Sequence, residues 1–88
     1  MFLLNIVEGR FISSDGSNIL TNFNTDILPR ENDEITIKES ADAFIVTKVL
    51  IDFRSYQSQE ETIAHVISAH RIRVFVFVDN TGFARFKK

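Results

Sequence analysis

An 88-residue chain with 44% hydrophobic and 25% charged residues has material for one small core, and is composed neither like a disordered tail nor like a membrane span. The absence of cysteine excludes disulfide frameworks, thiolate nucleophiles and cysteine-bound zinc. The formal charge is −2, yet residues 1–44 hold 8 acids and 3 bases, whereas residues 45–88 hold 4 acids and 7 bases.

These quantities predict one domain spanning residues 1–88. Residues 1–7 are apolar but short, lack a basic flank and run into Glu8 and Arg10, so a secretory signal is not expected and the cytoplasm is the expected compartment, with no membrane partner. The two-ended charge has two readings. It can steer a charged partner or join the acidic end of one copy to the basic end of another, or the two segments can lie side by side and neutralise each other.

In chain order, residues 2–12 read as a strand, with Leu3, Val7 and Phe11 on one face, Leu4, Ile6 and Ile12 on the other, and a bulge expected at Gly9. Turn formers fill residues 13–18, and residues 19–23 return as the second arm of a hairpin. Pro29 pushes Leu28 out of the helical region, and an acidic turn at residues 30–33 precedes the alternating strand 34–38. Residues 43–53 form the strongest strand and suit an interior position; Ile45, Thr47, Val49, Ile51 and Phe53 share one face, and Phe44, Val46, Lys48, Leu50 and Asp52 the other.

Ser58 with Glu61 fits a capping box, and Ile63, Val66, Ile67 and His70 then fall at helical spacing, which predicts one short helix near residues 58–69. A strand over residues 62–68 is the competing reading, because Thr62, Ile63, Val66 and Ile67 are all β-branched. Residues 71–79 alternate most cleanly: Ile72, Val74, Val76 and Val78 face one way, and Arg71, Arg73, Phe75, Phe77 and Asp79 the other. Residues 79–82 read as a turn, with Gly82 free to take positive φ, and residues 83–86 as a terminal strand.

Short strands, tight turns and at most one helix predict a mainly β fold, a five- to six-stranded antiparallel barrel or rolled sheet. The run Leu28-Pro29-Arg30-Glu31-Asn32-Asp33-Glu34-Ile35, followed by a loop and Phe44-Ile45-Val46-Thr47-Lys48-Val49, resembles small barrels of the Src-homology type, in which an acidic turn opens a short strand and a long bent strand follows. The resemblance covers residues 28–53. Asn32 stands where such turns often carry glycine, and no motif matches the aromatic ligand groove, so polyproline binding is not implied. Compact chains of this kind also resemble uncharacterised bacterial and phage proteins, which implies a binding or assembly role such as adaptor, inhibitor or structural subunit.

Catalytic constellations are not expected. His65 and His70 are five residues apart, on neither one helix face nor one strand face, and Glu61 with His65 supplies only two metal ligands. No G-x-S-x-G motif is present, and the three glycines lie far apart, so no phosphate-cradling loop is formed. The chain is therefore read as a non-enzyme without metal or cofactor. The feature with functional content is the face holding Arg71, Arg73, Phe75 and Phe77, because valines already supply the core side of that strand.

Three covers compete for the two rings: the chain's own segment near residues 63–67, a protein partner or second copy, and single-stranded nucleic acid whose bases stack on Phe while Arg71, Arg73, Arg85 and Lys87 meet phosphates. A sequence pI near 5.6 favours protein over nucleic acid. The expected function is thus a non-catalytic protein-binding or assembly module, capable of self-association, with the nucleic-acid barrel as the alternative. Its expected partner-binding residues are Arg71, Arg73, Phe75, Phe77 and Arg85, together with the acidic turn Glu31, Asp33 and Glu34 as a surface for a basic patch. Tyr56, the only tyrosine, is a further candidate anchor.

Overall fold

The computed structural model describes residues 2–38, 40–54 and 72–86. Five strands form one sheet: β1 (Phe2–Glu8), β2 (Ile19–Thr25), β3 (Glu34–Thr36), β4 (Asp42–Asp52) and β5 (Ile72–Ala84). The spatial order is β2-β1-β5-β4-β3, and the sheet curls into a half-barrel. The fold is mainly β, as expected, and no helix lies among the described residues.

The sheet is mixed rather than antiparallel. β1 runs parallel to β5, with Leu4 beside Val74 and Ile6 beside Val76, while the β1–β2, β3–β4 and β4–β5 pairs are antiparallel. Alternation of apolar and polar residues has period two in either direction, so it predicts which residues share a face but not which way a neighbour runs. The concave core is made by Leu4 and Ile6 of β1, Phe44 and Val46 of β4, and Val74, Val76 and Val78 of β5, with Leu20, Leu28, Ile35 and Val49 packed against it. β-branched residues dominate because they suit a pleated, fully covered surface.

Three register shifts interrupt the ladders. One lies between Ile6 and Val7 opposite β2, rather than at Gly9. Gly9 instead ends β1 with φ +102 and donates its N–H to the Val78 carbonyl at 3.0 Å, so the chain turns sharply where only glycine does so without strain. The other two lie in β4, between Asp42 and Phe44 and between Val46 and Lys48. A bulge inserts one extra residue, so Phe44 and Val46 share the core face with Val49, and the uninterrupted alternation expected over residues 43–53 does not hold.

The expected turn at residues 79–82 and sixth strand at 83–86 are absent, because β5 continues through them to Ala84. The turn-forming side chains are used across and along the strand instead. Thr81 Oγ1 donates to the Ala43 carbonyl at 2.9 Å, Asn80 Nδ2 donates to Asp42 Oδ2 at 3.2 Å, and Asn80 Oδ1 accepts from Gly82 N at 2.7 Å. Gly82 does take positive φ, +79. The expected helix near residues 58–69, Tyr56, both histidines and Arg71 lie outside the described residues. Among the described residues no helix is long and apolar enough to cross a membrane.

Candidate functional site

β5 separates its two faces as its alternation predicts, since Val74, Val76 and Val78 are fully buried on the core side. On the opposite side the three described residues of the Arg/Phe row meet different surroundings. Arg73 is exposed, Phe75 is half-buried, and Phe77 is only 5% exposed. Phe77 is thus not turned outward for docking, contrary to expectation.

Once Gly9 has turned the chain, Arg10 and Phe11 reach the second face, where with Thr47, Lys48 and Phe77 they line a cavity of about 270 Å³. Asn18 holds that loop in place: its Nδ2 donates to the Glu8 and Phe11 carbonyls, and its Oδ1 accepts from Ser13 N at 2.9 Å. Asp15 accepts from Ser13 Oγ and from Ser17 N, and these hydrogen bonds lower its pKa to about 2. Thr47 Oγ1 donates to the Phe77 carbonyl at 3.1 Å, and the neighbouring Val7 is fully buried.

Phe75, two residues earlier on the same face, has other surroundings. It sits in register between Asn5 of β1 and Leu50 of β4, and lines an open groove of about 430 Å³ with Ile12, Leu50, Ile51, Phe53 and the polar pair Asp52 and Arg54. Ile12, Leu50 and Phe53 are 40%, 43% and 47% exposed, an amount of apolar surface uncommon at one place on a small chain.

A charge cluster borders the groove. Asp52 accepts from Arg54 N, Nε and Nη2, each at 3.0 Å, and forms an ion pair with Arg73, whose Nη2 lies 3.0 Å from its Oδ2. The carboxylate is buried while both guanidiniums reach water. Hydrogen bonds from Arg54, with the nearby charge of Arg73, hold the Asp52 pKa at about 2. Among the described residues, two cations on one anion give this cluster one net positive charge, and the fork of an arginine matches a carboxylate or phosphate.

The acidic turn is elsewhere, near the start of β4, whereas the groove is near its end. Six residue steps of strand, roughly 20 Å, separate Ile45, which pairs with Glu34, from Ile51. Asp33 is used within the turn, its Oδ2 accepting from Arg30 N at 2.8 Å, and Val46 N donates to the Asp33 carbonyl at 2.8 Å, which ties the turn to β4. Asn32 adopts φ +74, the left-handed conformation that asparagine tolerates best after glycine. Glu34 accepts Arg85 Nε at 3.0 Å and Nη2 at 2.7 Å. Two residues expected to receive a partner therefore bind each other, and Glu31 remains exposed on the turn.

The eight expected partner-binding residues are thus divided. Phe75 lines the groove and Arg73 borders it through Asp52, Phe77 is buried beside a second cavity, Glu31, Asp33, Glu34 and Arg85 lie on a separate surface, and Arg71 lies outside the described residues. Ile12, Leu50, Asp52, Phe53 and Arg54 were not singled out from the sequence. Their signal was present only as register, in that Asp52 opposes Arg73 once β4 and β5 are paired. Among the described residues no three His, Asp or Glu side chains gather closely enough to share a metal ion.

The structure defines a mainly β half-barrel with an apolar groove bordered by arginines. No protein-family model, curated protein or solved structure matches this chain.

Proposed function

We propose that this chain is a non-catalytic protein-binding or assembly module, and that it docks its partner in the groove between β4, β5 and the loop after β1. The supporting observation is the position of half-buried Phe75 among exposed Ile12, Leu50 and Phe53, directly beside the Arg54–Asp52–Arg73 cluster. Aromatic and arginine side chains at the centre of a concave apolar patch are the usual energetic anchors of protein interfaces. The net positive rim selects a partner segment whose apolar side chain is followed by a carboxylate. The finer fold reading kept with this function is a barrel of the Src-homology type, supported by the Asn32 turn opening β3 and by the long, bulged β4.

Peptide display on the purified chain tests the proposal. Enrichment of sequences pairing an aromatic or aliphatic residue with Asp, Glu or a free C-terminus is expected, with binding lost in Phe75→Ser and in Arg73→Glu. No enrichment, or enriched peptides that bind both variants unchanged, overturns it.

The alternative, single-stranded nucleic acid on the same face, draws on the Arg73–Phe75 neighbourhood. It is weakened by the burial of Phe77 and by the engagement of Arg85 with Glu34, which remove one stacking ring and one phosphate contact from its inventory. A labelled oligonucleotide that binds with a steep salt dependence would reverse this order.

A further inference from the structure

The cavity of about 270 Å³ lined by Arg10, Phe11, Thr47, Lys48 and Phe77 takes no part in the proposed docking groove. Phe77 is almost wholly buried beside it, whereas Phe11 is 81% exposed. The Phe11 backbone is nevertheless fixed. Asn18 donates to its carbonyl and to that of Glu8, and Glu8 N donates to the Asn18 carbonyl at 2.9 Å. The ring is therefore presented by a hydrogen-bonded loop rather than by a frayed one. Arg10 and Lys48 are exposed as well, and among the described residues neither side chain has an ion pair or hydrogen bond. Arg54, Arg73 and Arg85, by contrast, are each engaged by a carboxylate. No acid lines the cavity, and Glu8 and Asp79, the acids two residues from Arg10 and Phe77, pair with neither cation.

We propose that this cavity binds a nucleoside monophosphate, its base stacked on the ring of Phe11 and its phosphate held by Arg10 and Lys48. An exposed aromatic face is a platform on which any planar base can stack. Two unpaired cations beside one cavity are best neutralised by a group of charge near −2, which a phosphate monoester carries and a carboxylate does not. Arginine meets such a group with a planar fork and lysine with a compact charge, and both are ordinary phosphate ligands. Thr47 Oγ1 already donates to the Phe77 carbonyl, so toward a ligand it can only accept, from a ribose hydroxyl or a base amino group. The volume lies just below the roughly 300–1,000 Å³ of pockets that enclose a drug-sized molecule, which suits one nucleotide left partly in water. Both cations reach solvent, so added salt weakens the binding.

Titration of the isotope-labelled full chain with adenosine monophosphate at low salt, followed by nuclear magnetic resonance, is the test. Saturable shifts of the Arg10, Phe11 and Lys48 amides are expected. Adenosine and inorganic phosphate, each offering only part of the contacts, are expected to bind at least about tenfold more weakly. Phe11→Ala is expected to weaken nucleotide binding by roughly 5- to 150-fold, the range for one lost stacking contact. Lys48→Glu is expected to abolish it, and because both side chains are exposed, both variants should keep the wild-type far-ultraviolet circular dichroism spectrum. Phe75→Ser is expected to leave nucleotide binding unchanged, which separates this site from the groove. The proposal is overturned by the absence of a saturable shift at millimolar nucleotide, by equal binding of inorganic phosphate, or by tighter binding of phosphotyrosine or an oligonucleotide. Binding that survives Phe11→Ala and is lost in Phe75→Ser overturns it too.

Discussion

Arg85 grips Glu34 with two parallel hydrogen bonds, from Nε at 3.0 Å and Nη2 at 2.7 Å, although 51 positions separate them in the chain. The pair joins the acidic first half to the basic second half within one molecule, so at this point the uneven charge of the chain is met internally. Both side chains are also nearly half exposed, which limits what the contact contributes to stability.

Replacing either partner should therefore matter little for stability and clearly for titration. Arg85 holds the Glu34 carboxyl below its ordinary range, first by hydrogen bonding and then by charge. A depressed folded-state pKa contributes stability above the unfolded pKa and loses it as pH falls through the folded one. In Arg85→Ala the Glu34 carboxyl carbon, followed by nuclear magnetic resonance, is expected to titrate at higher pH, with only a small change in melting temperature. An unmoved Glu34 titration would count against the pair in solution.

The two phenylalanines of β5 should separate stability from binding. Phe77 is buried, so Phe77→Ala is expected to cost about 3–5 kcal/mol in urea unfolding, the range for a truncated core aromatic. Phe75→Ala, at the rim of an open groove, is expected to cost clearly less while abolishing partner capture. Equal losses at the two positions would show that the groove is closed in solution.

Asp52 supplies an acid-sensitive element. Its pKa of about 2, against an ordinary carboxyl value of 3.8, means that its share of stability is complete above roughly pH 5 and disappears as pH falls toward 2. Asp52→Asn keeps the shape but frees Arg54 and Arg73. A melting temperature lower by a few degrees at neutral pH is expected, with the difference from wild type vanishing near pH 2. A difference that persists there would assign the effect to packing rather than charge.

The left-handed turn at Asn32 gives a backbone test. Asn32→Gly is expected to be close to neutral, whereas Asn32→Val is expected to destabilise by about 1–2 kcal/mol, because a side chain branched at Cβ meets the following carbonyl at φ +74. Equal stability of the two variants in chemical unfolding would indicate that the turn relaxes to another conformation.

The sequence by itself determined the β class, the hairpin of β1 with β2, the position of the acidic turn, and the division of β5 into a valine side and an Arg/Phe side. Each follows from short-range rules: alternation of period two, turn-forming side chains, and the conformational reach of glycine and asparagine. Tertiary structure alone decided that β1 lies parallel to β5, that a bulge after Val46 moves Val49 onto the core face, and that Thr81 and Asn80 bridge to β4 rather than turn the chain back. It alone decided, too, that Phe77 is buried while Phe75 lines a groove with Ile12 and Leu50. Strand direction, register and cover depend on contacts between residues far apart in the chain, and the local pattern of side chains is the same whichever of those contacts forms.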